Sequence, residues 1–158
     1  MRNKLILLSL LTLPLSGMAA TSITATVSGT LYIPMSCDLG ANRTVPFGNI
    51  SSADITNGTA AAQSLNVTMT CTNWNTIQRA NIKVTGTGTT TNKLPITGNA
   101  KGFVLALKRN GTAVNFNTDI PITAVGAVGL TLTPENKTTE AFVAGTFSAV
   151  ATIAVTVT

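Results

Sequence analysis

Three features of the sequence place this chain in the all-β class. Apolar and polar residues alternate with a period of two in several short runs, the longest spanning Gly145 to Thr158. Beyond the first residues, no stretch carries a sustained helical period. The runs recur at intervals of about 8 to 14 residues, rich in Thr and Val and separated by Gly and Asn turns, a spacing that suits a β-sandwich of immunoglobulin type.

The first residues are a separate matter. Arg2 and Lys4 precede an apolar run from Leu5 to Leu15, and small residues follow at Gly17 and Ala19, the pattern of a secretory signal cleaved after Ala19. The run is too short to cross a membrane, and no membrane insertion is expected. Cleavage would leave 139 of the 158 residues, the size of one domain. It would also lower the ten basic residues to eight against five acids, a net charge of +3. The remaining cations are scattered from Arg43 to Lys137 with few aromatics between them, which argues against a nucleic-acid partner.

Each element follows in order. Ile23, Ala25, Val27, Gly29, Leu31 and Ile33 form an alternating run before the first cysteine. Cys37 and Cys71 are the only cysteines, and in an exported chain such a pair is expected to form one disulfide. It would close a loop of about 33 residues, for which chain entropy gives roughly 3.5 to 4 kcal/mol. Arg43 to Ile50 suggests a short edge strand interrupted by Pro46. Ser51 to Ala62 is polar and small, and is expected to be a loop. Leu65, Val67, Met69 and Cys71 alternate with polar residues in a strand that carries the second cysteine inward.

Ile82 and Val84 mark another strand, ended by the flexible composition of Gly86 to Thr91. Phe103, Leu105 and Leu107 lead into Asn110-Gly111, a strong hairpin signal, with a return expected through Thr112 to Phe116. Ile120 and Ile122, then Val128, Leu130 and Leu132, give two further strands. Pro134 to Thr139 reads as a loop into the last run, where Phe147, Ala149, Ala151, Ile153, Val155 and Val157 share one parity with no charge or proline among them. A strand of that kind presents an edge that something must cover.

No catalytic chemistry emerges. The chain has no histidine, so neither a Ser-His-Asp set nor a two-cysteine zinc site with histidine ligands can form, and no metal or cofactor is expected. The acids Asp38, Asp54, Asp119, Glu135 and Glu140 are far apart in sequence, and solvated carboxylates are the simplest reading. Trp74 is expected to pack at a strand end rather than to stack on a sugar.

The segment from Ile23 through Gly29 and Pro34 to Cys37, followed by Val45-Pro46-Phe47-Gly48-Asn49-Ile50, resembles the opening of chaperone-usher pilins, most closely the minor tip-fibrillum and adaptor subunits of P-pilus type. The segment from Val143 to Ile153 resembles their last strand, with Gly145 fourteenth from the end. One position departs: Val157 stands where the family usually has an aromatic. The resemblance implies an incomplete immunoglobulin-like sandwich lacking its last strand, with an N-terminal donor-strand extension. Residues 1–19 would be the signal, 20–35 the extension and 36–158 the pilin domain.

On the same resemblance, Ile23, Ala25, Val27, Gly29, Leu31 and Ile33 would be donated to a neighbouring subunit. Gly145, Phe147, Ala149, Ala151, Ile153, Val155 and Val157 would border the groove and meet a periplasmic chaperone, which an outer-membrane usher helps to replace. The implied function is a structural pilus subunit, in a minor or tip/adaptor position, with the rod and terminator positions left open. A carbohydrate-binding adhesin is the alternative, but adhesins carry a separate receptor domain for which 139 residues leave no room.

Overall fold

The structure is a computed structural model that describes residues 22–89 and 91–158. The expected signal, 1–19, lies outside them. The chain divides into two units, with the boundary between Leu31 and Tyr32. In the first, the described residues form neither helix nor strand.

The second unit is built from short strands, as the alternation predicts. β1 (Ser36–Asp38) is followed by residues 39–51, which form no ladder. The strand expected around Pro46 is therefore absent. Proline has no N–H to donate, and Gly48 turns the chain at φ +65. The loop expected over Ser51 to Ala62 instead holds a single helical turn and a half, α1 (Ser52–Asn57). Ser51 caps it through Oγ, which accepts from the Ala53 N–H at 3.2 Å, and Gly58 ends it in the left-handed conformation at φ +69. Ile55 anchors the helix in the core.

β2 (Gln63–Ser64) and β3 (Thr68–Thr72) follow, with Leu65, Val67 and Met69 buried on one parity. β4 (Ala80–Gly86) buries Ala80, Ile82 and Val84. Next come β5 (Lys93–Pro95), β6 (Thr97–Gly98) and β7 (Phe103–Arg109). The Asn110-Gly111 hairpin forms as expected: φ is positive at both residues, 49° and 82°, as a two-residue turn of mirror-image type requires. Its return strand β8 (Thr112–Ala113) stops early. The chain then leaves β7, and the Phe116 N–H donates to the Thr91 carbonyl at 3.0 Å, which places the Phe116 ring in the core.

β9 (Asp119–Ile122), β10 (Gly126–Ala127) and β11 (Leu130–Asn136) lead to β12 (Phe147–Ser148) and β13 (Ala151–Val157). Two expectations change here. β11 runs through Pro134, which lies opposite Leu105 and is fully buried. The neighbour β2 covers β11 only at Thr131 and Leu132, so Pro134 falls where one side of the strand is free, the place where a sheet tolerates proline. The last alternating run is two strands, not one.

The sheets are β2-β11-β7-β5 with β8 beside β7, β13-β4-β9, β1-β3-β10, and the pair β12-β6. Ile82 and Val84 from β4, Met69 from β3, Leu105 and Leu107 from β7, and Leu130 and Leu132 from β11 belong to one buried cluster. The sheets therefore pack face to face as a sandwich. Cys37 lies directly opposite Cys71 in the β1–β3 ladder, and the two are joined by a disulfide.

Candidate functional site: an open sheet edge

The edges of these sheets are not alike. Among the described residues, β13 is the one seven-residue strand that lies at a sheet edge, paired with β4 alone. The other edge strands are shorter or carry blunting residues: β5 has Lys93 and Pro95, and β9 has Asp119 and Pro121. Charge and proline discourage a further strand from pairing. β13, with the sequence Ala-Thr-Ile-Ala-Val-Thr-Val, has neither.

Burial departs from what the ladder alone would give. Val84, Ile82 and Ala80 of β4 are at most 1% exposed, whereas Ile153, Val155 and Val157, their partners in register, are only half-buried. The same half-burial holds for Phe147, Ala149 and Ala151, while the alternate residues face solvent. On the N-terminal side, Cys37, Leu39, Val45, Phe47 and Ile50 are also half-buried against the core. β1 comes close to β13, but no ladder joins them. Two apolar margins of one core thus lie side by side with no strand between them among the described residues.

Glycines fix how the chain enters this edge. A Cβ on Gly145 would stand 2.8 Å from the Asn99 Cβ and 2.9 Å from the Ala100 nitrogen, so only hydrogen fits. Across this contact, Thr146 O accepts from the N–H groups of Asn99 and Ala100 at 3.0 and 3.1 Å. A Cβ on Gly98 would meet Thr146 O at 2.4 Å, and one on Gly102 would meet the Phe142 Cα at 2.7 Å. Held this way, β12 pairs with β6, and Phe147 packs edge-on against Phe47 and Phe103, with ring centroids 5.9 and 5.0 Å apart. Phe147 thus touches the N-terminal margin through Phe47 at one end of the opening. At the other end, Thr158 exchanges two backbone hydrogen bonds with Arg79, at 2.8 and 2.9 Å.

The groove residues expected from sequence therefore share one face, except Gly145, which is pressed against Asn99 and Ala100. Leu39, Val45, Phe47 and Ile50 were not expected at this margin: the sequence suggests an edge strand over Arg43 to Ile50, and irregular backbone carries no periodicity that would show which core it lines. Gly98, Gly102 and Gly145 were the available signal for the close crossing. In the tail, Ile23, Val27 and Leu31 are 95%, 92% and 97% exposed, and Ala25 and Ile33 are exposed as well. A Cβ built on Gly29 meets no atom within 4 Å.

Trp74 packs against the core. Glu135 pairs with Lys108 at 3.2 Å, Asp119 with Lys83 at 3.1 Å, and Glu140 with Lys137 at 2.8 Å. The hydrogen bond from Lys137 holds the Glu140 carboxyl below its ordinary range. Among the described residues, no three His, Cys, Asp or Glu side chains come together as a metal set.

A family model described as fimbrial protein matches residues 23–158. The crystal structure of the P pilus rod subunit PapA matches with a TM-score of 0.59 at 17% sequence identity, over 77% of this chain and 99% of that one. At that identity the likeness is one of fold. The curated proteins contain no match to this sequence.

Proposed function

Because this chain belongs to the fimbrial protein family, a family of structural subunits exported to the cell-surface fimbria, we propose that it polymerises with other pilus subunits by donor-strand exchange. The observation that carries the reading is β13: a long, uncharged edge strand whose inward face is half-buried beside a buried partner strand. An added strand supplies main-chain hydrogen bonds along the edge and alternate side chains into the groove.

The donor is the tail of a neighbouring subunit, with Ile23, Ala25, Val27, Gly29, Leu31 and Ile33 pointing inward and Gly29 at the place where only hydrogen fits. At roughly 1.5 to 3 kcal/mol per buried aliphatic, Val27, Leu31 and Ile33 would contribute about 5 to 9 kcal/mol before ordering costs. A periplasmic chaperone holds the same edge beforehand, against Phe147, Ala149, Ala151, Ile153, Val155 and Val157, and an outer-membrane usher exchanges it for the tail.

The resemblance of both chain ends to tip-fibrillum and adaptor subunits supports a minor or tip position. A peptide with the sequence of residues 22–33 tests the groove directly. Added to a chain lacking that tail, it should raise the thermal midpoint by several degrees, and a scrambled peptide should not. Equal midpoints with both peptides would reject the reading.

A further inference from the structure

Two Asn-Gly pairs stand in exposed turns, Asn57-Gly58 and Asn110-Gly111, and the fold treats their glycine amides differently. At the end of α1, the Gly58 N–H donates to Ile55 O at 3.3 Å. The next two amides, of Thr59 and Ala60, lock the same turn by donating to Asp54 O at 2.8 and 3.1 Å. At the β7–β8 hairpin, the ladder closes at Arg109 and Thr112, and the Asn110 N–H donates to Gly129 O at 2.9 Å. The Gly111 N–H meets no acceptor among the described residues. A Cβ there would touch nothing within 4 Å, so that side of the turn is open to water.

We propose that Asn110 is a site of spontaneous modification, deamidating through a cyclic imide, and that the fold protects Asn57 from the same reaction. The Gly111 nitrogen, after losing its proton to solvent base, attacks the Asn110 Cγ and forms a new C–N bond. The side-chain nitrogen takes up a proton and leaves as ammonia. Water then opens the ring at either carbonyl. Attack at Cγ breaks the new bond and leaves aspartate; attack at the main-chain carbonyl breaks the original peptide bond and leaves isoaspartate, with the backbone routed through Cγ.

The reaction needs a free glycine nitrogen and a backbone able to bring it to Cγ. At Asn110 the attacking Gly111 nitrogen carries no hydrogen bond among the described residues, and the chain returns through a strand of only two residues, β8, while the turn is held through the preceding amide, Asn110 N–H to Gly129 O. At Asn57 the attacking nitrogen is tied into the helix end, and the buried Ile55 holds that end down. Either product places a carboxylate beside Arg109. Isoaspartate also adds a methylene to the main chain of a two-residue turn, which loosens β8 from β7.

Peptide mapping by mass spectrometry tests this on the full folded chain, incubated in mildly alkaline buffer beside the same chain in denaturant. In the folded chain, Asn110 should convert several-fold faster than Asn57, to a mixture of aspartate and isoaspartate; in denaturant the two rates should converge. Conversion at Asn57 that matches or exceeds Asn110 in the folded chain would overturn the proposal. A preference for Asn110 that persists in denaturant would also overturn it, because sequence and not fold would then be the cause. In Asn110→Gln the smaller ring can no longer form, and conversion at that position should cease; continued conversion there would exclude the cyclic route.

Discussion

Val155 of β13 lies directly opposite Ile82 of β4 in an unbroken ladder, yet Ile82 is fully buried and Val155 is half exposed. Paired residues on one face of a sheet normally share their burial, because the same opposing layer covers both. Here the covering layer reaches β4 and stops short of β13. The consequences of this margin can be measured.

The chain without a donor should be only marginally stable. Deleting residues 20–33 and joining a copy of a related tail after Thr158 through a short flexible linker should give a monomer that folds without chaperone. Its gain should be several kcal/mol, comparable to the net stability of a small domain. Thermal unfolding of the two forms decides: equal stability would mean that the groove is already closed. Val157 in place of an aromatic makes a smaller gain than in relatives the expected result.

Gly29→Leu should fold with its chaperone and fail to enter the next subunit. Among the described residues a Cβ at Gly29 meets nothing within 4 Å, so on the proposed exchange a defect is expected in the partner's groove and not in the chain's own fold. Peptide exchange with the tail reads this, and a normal exchange rate would take Gly29 out of its pocket.

Gly145→Ala tests the close crossing. The new methyl group would stand under 3 Å from the Asn99 and Ala100 backbone, which cannot swing aside as a side-chain tip can. A loss of about 1 to 3 kcal/mol is expected, read as a lower urea midpoint in the tail-fused form. An unchanged midpoint would mean that segments 97–102 and 141–148 part without cost.

Cys71→Ala should lower the periplasmic yield of chaperone-bound subunit, since β1 has three residues and the disulfide ties it to β3. The expected destabilisation is roughly 3.5 to 4 kcal/mol from chain entropy. Yields equal to the parent would show that the β1–β3 ladder holds without the bridge.

Local pattern determined a large share of this protein. The strands around Ile82, Leu105 and Ile153, the hairpin at Asn110-Gly111 and the cysteine pair were all legible, because a period of two and a left-handed turn are properties of neighbouring residues. So was the unblunted character of the last run. Even α1 left marks, with Ser51 and Gly58 at its ends, but six residues hold too little periodicity to announce a helix.

Partners in space were decided by the tertiary structure. Alternation from Phe147 to Val157 is continuous, yet the chain changes sheet at Ala149 and Val150, since periodicity gives the face of a strand and not its neighbour. Pro134 lies within a strand because β2 ends two residues before it, a fact held by a segment some seventy residues away. The apolar residues from Leu39 to Ile50 became a half-buried margin of the core without becoming a strand. That the two margins meet at Phe47 and Phe147 and stay unjoined along β13 depends on contacts a hundred residues apart in sequence, which only packing can bring together.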